Sequence, residues 1–388
     1  VATGYTGNIN KTVKPNLMMK YYKNFRISDD ENYRMGYINN APNPKLRWEK
    51  TRDVKVALDF GLWKDRINGI VEAYWRKSKD CVTSEYVPVT TGFFNQSYNT
   101  SVLQNNGVEF SLSVAVLKSK DYNLSVSANV AWNQNKLKKY NSPNTSLALD
   151  KYVGYPMGAV FSGKYEGIDP ETGMYKFKLR PDAVTNKDGY LREPNNYYYY
   201  LGTSVAPFTG GFNLNFSYKN IGLSVGGSYS VKAKMVDNIE SPAGYELLSG
   251  SKLESIPTPH NDLYRNHLNV KREVRNRWTP ENRTGVKYPR LIDAYGKKLG
   301  LDLTNPTLTT ITRGALLEDI SYLRINTIAL SYSLPQRVLE RINFSSAALN
   351  LTLNNFFTIT KYSGIDPEVP GATYPVSRSV TIGLNVGF

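Results

Sequence analysis

The chain has 388 residues, a formal net charge of +15, and 12% aromatic residues, of which 29 are Tyr. It is longer than one usual hydrophobic core, so it forms either two soluble domains or one large β architecture. It contains no apolar run of about 18 residues, which excludes a transmembrane helix but not membrane strands, whose apolar residues alternate. The one cysteine, Cys81, excludes an internal disulfide framework.

The basic excess is concentrated between Lys252 and Lys298. Nucleic-acid binding is one interpretation of such a balance, but no recognition motif accompanies it. A basic rim facing anionic lipid head groups, or a basic lumen, is the simpler explanation of the charge and is preferred. We therefore expect outer-membrane lipid, and no nucleic acid, among the partners.

The first predicted elements are a strand over Val1 to Asn8 and a polar loop from Lys11 to Pro44. The beginning lacks a signal peptide and indicates a chain that starts part-way through a strand. Leu46 to Leu62 then alternates apolar with polar or small residues. A tight turn at Trp63–Arg66 leads into a return strand, in which only Ile70 interrupts the alternation.

Three further hairpins and a final strand repeat this pattern, giving about ten strands. In the final strand one face is wholly apolar, while the other carries only Ser, Thr, Gly and Asn. Such a strand is typical of lipid on one side and a polar lumen on the other. The predicted segments are Val108–Val116 with Tyr122–Trp132, Phe212–Tyr218 with Ile221–Val231, Leu316–Tyr332 with Leu349–Leu353, and Ser379–Phe388.

Short turns alternate with long loops along the whole chain. The turns have roughly 3 to 12 residues and the loops about 20 to 80, a range that compact soluble domains rarely show. One of these loops is predicted from Lys77 to Asn106. The pattern predicts an all-β fold, an antiparallel transmembrane β-barrel with long extracellular loops and short periplasmic turns. A soluble β-sandwich is the alternative.

Aromatic residues recur at the strand ends. Tyr122 and Trp132 bracket an apolar strand ten residues apart, which corresponds to roughly 25 Å, the height of the apolar band of a barrel. Phe208 and Tyr218 repeat this spacing. Phe388 is placed at the periplasmic end. The residues predicted to form the membrane girdle are Trp63, Trp75, Tyr122, Trp132 and Tyr218.

Several passages resemble SusC/RagA-type TonB-dependent outer-membrane transporters. The most specific are N-P-K-L-R-W-E-K-T at Asn43–Thr51, L-D-F-G-L at Leu58–Leu62, and Y-P-V-S-R-S-V-T at Tyr374–Thr381. The similarity covers nearly the whole chain. Further matching passages are Gly4–Ile9, Arg66–Gly69, Asn106–Glu109, Arg277–Thr279 and Leu323–Pro335.

The resemblance implies a barrel of about 22 strands filled by a plug. It also implies a SusD-like surface lipoprotein above the barrel, energy supplied through TonB, and import of oligosaccharides or peptides. Residues 1–388 would be the C-terminal portion of the barrel. The plug, the TonB contact and the first strands would then belong to a missing N-terminal part. Phe388 would act as an assembly signal, because the last strand is read by the insertion machinery.

No catalytic or cofactor-binding pattern is found. His260 and His267 are the only histidines and lack zinc-site spacing, and no nucleophile or phosphate-binding motif occurs in a fitting context. We therefore expect no enzymatic activity and no cofactor. A repeated segment, Tyr165–Glu171 and Tyr362–Glu368, offers Asp169 and Asp366 as weak candidates for Ca²⁺ or substrate contact. A turn is the favoured interpretation, because Asp precedes Pro.

Loop aromatics are the candidates for substrate binding. Tyr197, Tyr198, Tyr199 and Tyr200 form a run in a long predicted loop, and Trp278 lies in another. Flat rings with a hydroxyl suit the stacking of sugars, but packing against other loops or a lid protein is the alternative. For the whole chain, nutrient import competes with two other interpretations. These are a secreted or surface carbohydrate-binding or adhesin protein, and a plain porin.

Overall fold

The structure is a computed structural model that describes residues 1–8, 18–26, 34–93, 95–140, 152–171, 173, 175–183, 197–236, 275–287, 313–370, 372 and 374–388. Strands dominate these ranges, and the one α-helix within them, α1, is Gln336–Arg341. Among these residues, no helix is both long and apolar enough to cross a membrane.

The first of two compact units comprises Val1–Val116 and Val126–Met157. Its strands are β1 Ala2–Asn8, β2 Met18–Arg26, β3 Arg34–Asn40, β4 Glu49–Leu62, β5 Ile67–Tyr86, β6 Asn95–Lys118 and β7 Tyr122–Tyr140. Five of them lie side by side in the order β1-β4-β5-β6-β7. The pairs from β1 to β6 are antiparallel. β2 pairs with β3, so the segment predicted as a loop from Lys11 to Pro44 contains a hairpin.

The second unit comprises Leu117–Ser125 and Gly158–Phe388. Its strands are β8 Ala159–Ile168, β9 Tyr175–Lys178, β10 Tyr198–Thr203, β11 Phe208–Tyr218, β12 Ile221–Val231, β13 Lys234–Val236, β14 Leu317–Asp319, β15 Tyr322–Ser333, β16 Ser346–Thr360 and β17 Ser379–Gly387. Five lie in the order β11-β12-β15-β16-β17, all antiparallel. Smaller sheets have the order β10-β8-β9 and β13-β14.

The prediction of a loop from Lys77 to Asn106 is wrong, because both ends of this segment belong to strands. The ladder between β5 and β6 continues to the pair Tyr86 and Asn95, so only a short connection remains. Lys, Ser, Thr and Asn occupy both faces of these strand ends. A strand that is wetted on both faces needs no alternation of apolar and polar residues. Sequence periodicity therefore could not reveal these ends of β5 and β6.

Other predicted loops also contain short strands. The Tyr197–Tyr200 run is not a loop, because Tyr198 begins β10, which pairs with β8. The β13–β14 pair lies inside the long segment between β12 and β15. α1 occupies the turn predicted from Leu334 to Ser345 and begins after Pro335. Short elements such as these offer too few positions for a periodicity to be recognised.

The short connections of the second unit are joined to one another. The Lys219 N–H, between β11 and β12, donates to the Asp121 carbonyl at 2.6 Å. The Ser345 N–H, after α1, donates to the Gly387 carbonyl at 2.9 Å. These bonds satisfy backbone groups where the ladders end. The short turns therefore lie together at one end of this unit.

Few side chains are buried in a conventional core. Ten hydrophobic residues are buried in the part of the chain that the structure describes, whereas many large apolar side chains stand exposed on the strands. Leu58 is 65% exposed and Ile382 is 74% exposed. Monomeric soluble proteins rarely expose contiguous apolar patches of this extent. The strands therefore require an apolar environment around them.

Candidate functional site

The five long strands of the second unit carry a continuous apolar face. The register places apolar side chains opposite one another in three successive rows. No charged residue interrupts these rows, which fits contact with lipid. The rows are Leu214, Val225, Ile328, Leu353 and Val380, then Phe216, Leu223, Leu330, Leu351 and Ile382, then Tyr218, Ile221, Tyr332, Leu349 and Leu384.

The opposite face of the same strands is polar, and in the three rows that back the apolar rows it is neutral and built from small side chains. The Ser224 hydroxyl donates to Asn215 Oδ1 at 2.8 Å, and Asn354 Nδ2 donates to Ser379 Oγ at 3.1 Å. Cross-strand bonds of this kind support the sheet while leaving its surface wettable. The rows are Asn213, Gly226, Thr327, Asn354 and Ser379, then Asn215, Ser224, Ala329, Thr352 and Thr381, then Ser217, Gly222, Ser331, Asn350 and Gly383.

The polar face of the first unit is charged instead. Arg76 Nη2 lies 2.8 Å from Asp53 Oδ2, and the Lys55 ammonium pairs with Glu72. Glu109 lies directly opposite Glu72 on the neighbouring strand. The charged side chains of this face on β4, β5 and β6 include Asp53, Lys55, Asp59, Glu72, Arg76 and Glu109.

Of the predicted girdle residues, Trp63 lies in a turn and Tyr122 and Tyr218 lie at strand ends. Trp75 and Trp132 lie within β5 and β7, which continue beyond them. Trp63 is 74% exposed and Trp75 50%, while Tyr122, Tyr218 and Trp132 show smaller exposed fractions. The Lys219 ammonium lies 5.2 Å from the ring centroid of Tyr218, an arrangement suited to a membrane interface. These positions agree with the girdle, which stays a prediction.

Phe388 packs at the short-turn end of the second unit. Its ring meets that of Phe344 edge to face, with centroids 5.1 Å apart. The Ser345 hydroxyl also contacts its backbone carbonyl at 3.3 Å. This end also holds Asp121 and Lys219, next to Tyr122 and Tyr218. The location agrees with the predicted periplasmic placement, and the assembly role stays a prediction.

The predicted substrate-binding tyrosines are brought together by β10. In its ladder with β8, Tyr200 lies opposite Phe161, and the ring centroids are 5.8 Å apart. The Tyr199 hydroxyl donates to the Leu179 carbonyl at 2.8 Å. Burial raises the pKa of Tyr197. Successive side chains on a strand point to opposite faces, so the four rings cannot form one stacking platform.

Trp278 lies apart from that run in the sequence and is buried. Its indole is 7% exposed, and its N–H donates to the Pro170 carbonyl at 2.9 Å. A buried ring that already uses its polar group presents little surface for stacking. This favours the packing alternative for Trp278, whereas Tyr200, at 41% exposed, keeps part of its ring accessible.

The two copies of the repeated segment form the same local turn. Asp169 Oδ1 accepts the Glu171 N–H at 3.0 Å, and Asp366 Oδ1 accepts the Glu368 N–H at 2.9 Å. This is the Asx-turn pattern of an Asp that bonds the backbone two residues ahead. Within the described residues, no group of three or more His, Cys, Asp or Glu side chains could hold a metal ion.

The sequence did not single out Arg324, whose guanidinium is 3% exposed. Nη2 lies 2.6 Å from Asp366 Oδ1, and Nη1 lies 2.8 Å from Glu368 Oε2. Arg324 is opposite Ser228 in the register, so it stands on the polar side of β15. The partners are about forty residues away along the chain, and no local pattern could have joined them.

The passage Asn43–Thr51, which carries part of the family resemblance, connects several strands of the first unit. Asn43 Nδ2 donates to the Ser97 carbonyl at 2.7 Å. The Glu49 carboxylate accepts the Val82 N–H at 2.9 Å and Asn8 Nδ2 at 3.1 Å. These bonds connect β4 and the segment before it to β1, β5 and β6. The motif therefore fixes strand register.

No protein-family model matches the chain. It is 25% identical to TonB-dependent receptor P26 of Formosa agariphila over 90% of this chain and 36% of that protein. It is also 25% identical to TonB-dependent receptor SusC of Bacteroides thetaiotaomicron over 90% of this chain and 33% of that one. The solved RagAB peptide transporter matches with a TM-score of 0.74 and 26% identity, over 100% of this chain and 40% of that one.

The chain therefore has the fold of outer-membrane β-barrel transporters, and its place is the outer membrane. Within that class its sequence and fold are similar to those of the SusC/RagA type of TonB-dependent transporter, as its motifs predicted. The relatives are receptors and transporters, not enzymes. The chain spans 33 to 40% of the length of these three relatives.

Proposed function

We propose that the chain forms part of the barrel wall of a transporter that imports oligosaccharides or peptides across the outer membrane with energy from TonB. The observation that carries this proposal is the division of each long strand into an apolar and a polar face. The apolar rows would contact lipid, and the polar rows would line the lumen. The similarity to the RagAB peptide transporter supports the peptide class, and the similarity to TonB-dependent receptor SusC supports the role of TonB.

Residues 1–388 would supply the C-terminal portion of the barrel. The relatives are longer, so the plug, the remaining strands and the TonB contact would lie in the part of their length that this chain does not span. A SusD-like surface lipoprotein would cover the end that carries the long loops. The aromatic side chains on β8 and β10, among them Phe161 and Tyr200, would lie at that end and contact substrate or the lipoprotein.

The test is uptake in the organism that carries the gene. Disrupting the gene should abolish growth on one glycan or peptide mixture offered as sole nutrient, and re-expression should restore it. Uptake should also stop when TonB is deleted. Uptake that persists without TonB would indicate a plain porin. Recovery of the protein in the aqueous fraction without detergent would favour the secreted alternative.

A further inference from the structure

The loop after β16 is anchored through a short segment, Tyr362–Glu368, which we name the docked loop. Arg324 is its charged anchor, because the guanidinium contacts both Asp366 and Glu368. Asp366 is 5% exposed, so this contact is removed from water. The guanidinium also stacks over the Tyr322 ring at 5.7 Å. An ion pair in such surroundings is screened little by salt.

Two further anchors hold the same segment. The Ser363 N–H and hydroxyl donate to the two carboxylate oxygens of Glu318 at 2.9 and 2.5 Å. The buried Tyr362 ring packs with Ala233 and Ile320. A Cβ on Gly364 would lie 2.4 Å from that ring, so glycine is needed for this close approach. The docked loop is therefore fixed by charge, hydrogen bonds and packing.

The charged anchor carries a large desolvation cost. Burying a guanidinium and a carboxylate costs several kcal/mol, which their mutual attraction must offset. Arg324 Nε has no hydrogen-bond partner in the structure. Burial of the Asp366 carboxyl opposes its ionisation, but the Glu368 N–H and Arg324 outweigh that effect and lower its pKa. An apolar contact could stabilise the loop equally well, whereas the two-pronged ionic contact also fixes its orientation.

We propose that Arg324 is a positioning residue that holds the docked loop on the polar side of β15 as a fixed part of the lumen wall. Arg324 is eight residues before Tyr332, which marks the short-turn end of the apolar rows. The docked loop then lies towards the opposite, long-loop end. This role of the docked loop rests on the proposed function. In such a transporter the docked loop would narrow the entrance to the lumen and would stay in place during import.

The experiment is hydrogen exchange by mass spectrometry on the full transporter in lipid nanodiscs. In Arg324→Met, amide exchange in residues 361–370 should be at least tenfold faster than in the wild type. Arg324→Lys should give an intermediate rate, because an ammonium cannot reproduce the planar fork. The matched control is Arg47→Gln, which breaks the exposed pair of Arg47 with Asp80. It should leave that exchange unchanged.

If Arg324→Met does not accumulate in the membrane, Glu368→Gln tests the same contact from its more exposed side. It should give a smaller increase in exchange over 361–370. Unchanged exchange in every Arg324 and Glu368 variant that folds would overturn the anchoring. A variant that shows faster exchange over 361–370, while the rate and the substrate selectivity of uptake stay unchanged, would overturn the positioning role. A wild type without TonB-dependent uptake would refute the proposed function and leave the exchange result standing.

Discussion

The polar faces of the two units are both wettable, but they are built from different kinds of residue. In the first unit the face carries several charged side chains, and two of its carboxylates are paired with Lys55 and Arg76. In the second unit the three polar rows carry Ser, Thr, Asn, Gly and Ala and no charge. Both faces are wettable, but only the first creates a strong local field.

Each unit also buries charged groups near the long-loop ends of its strands. Glu85 is 0% exposed and accepts hydrogen bonds from the Tyr140 hydroxyl at 2.7 and 2.6 Å. The Thr83 hydroxyl also donates to it, at 2.7 Å. Arg324 is instead held by carboxylates. The comparison teaches that the face in contact with water tolerates many residue types, whereas a buried charged group needs hydrogen-bond or ionic partners.

The largest expected effect on stability comes from placing a charge on the apolar face of a strand instead of on its polar face. Leu351→Arg should destabilise the barrel by about 2–4 kcal/mol near the bilayer midplane, because the charge would face lipid. Thr352→Arg, on the polar face, should cost far less. Val126→Arg and Ser127→Arg should repeat the contrast in the first unit. Urea unfolding in lipid vesicles measures all four, and equal costs within a pair would refute the assigned faces.

The next effect concerns Glu85. Tyr140→Phe removes a hydroxyl donor to a buried carboxylate and should cost about 1.5–3 kcal/mol, the value of a hydrogen bond to a charged group. Tyr86→Phe is the control, since Tyr86 is 56% exposed. It should change the free energy of unfolding by less than about 0.5 kcal/mol. The same unfolding assay measures both, and a control as costly as Tyr140→Phe would contradict the prediction.

A pH effect should be confined to the docked loop. The folded pKa of Asp366 is lowered, so its stabilisation is complete above the unfolded pKa of about 4 and is lost as the pH falls below it. Arg324 and Glu368 are the charged side chains next to it. Limited proteolysis at pH 3 and pH 7 with an acid-tolerant protease should show cleavage within 361–370 only at the lower pH. Equal cleavage at both would count against this.

The smallest effect concerns the charged face. Glu72→Gln removes the partner of Lys55 and should cost only about 0.2–1 kcal/mol, because the pair is partly exposed to water. Glu109→Gln should be neutral or slightly stabilising, since it relieves the like charge opposite Glu72. A cost for Glu109→Gln as large as that for Glu72→Gln would show that the two carboxylates do not interact in this way.

The faces of the long strands could be predicted because lipid and water impose strict alternation, as in Ser379–Phe388. Strand ends beyond the lipid, such as the stretch to Tyr86, lose that signal because both sides are wet. The pairing of Arg324 with Asp366 spans 42 residues and depends on how two elements fold together. The tyrosine run was noticed for its chemistry, but its division between two faces follows from pairing with β8.

The repeated turn has a consequence for how roles are transferred between similar motifs. Ile168-Asp169-Pro170-Glu171 and Ile365-Asp366-Pro367-Glu368 share four residues and one hydrogen bond, which the Glu backbone N–H donates to the Asp carboxylate. In the first copy a tryptophan indole donates to the Pro170 carbonyl, while in the second the Asp and Glu side chains bind an arginine. A search by sequence signature would assign both copies one role, although what they share is a bend in the chain.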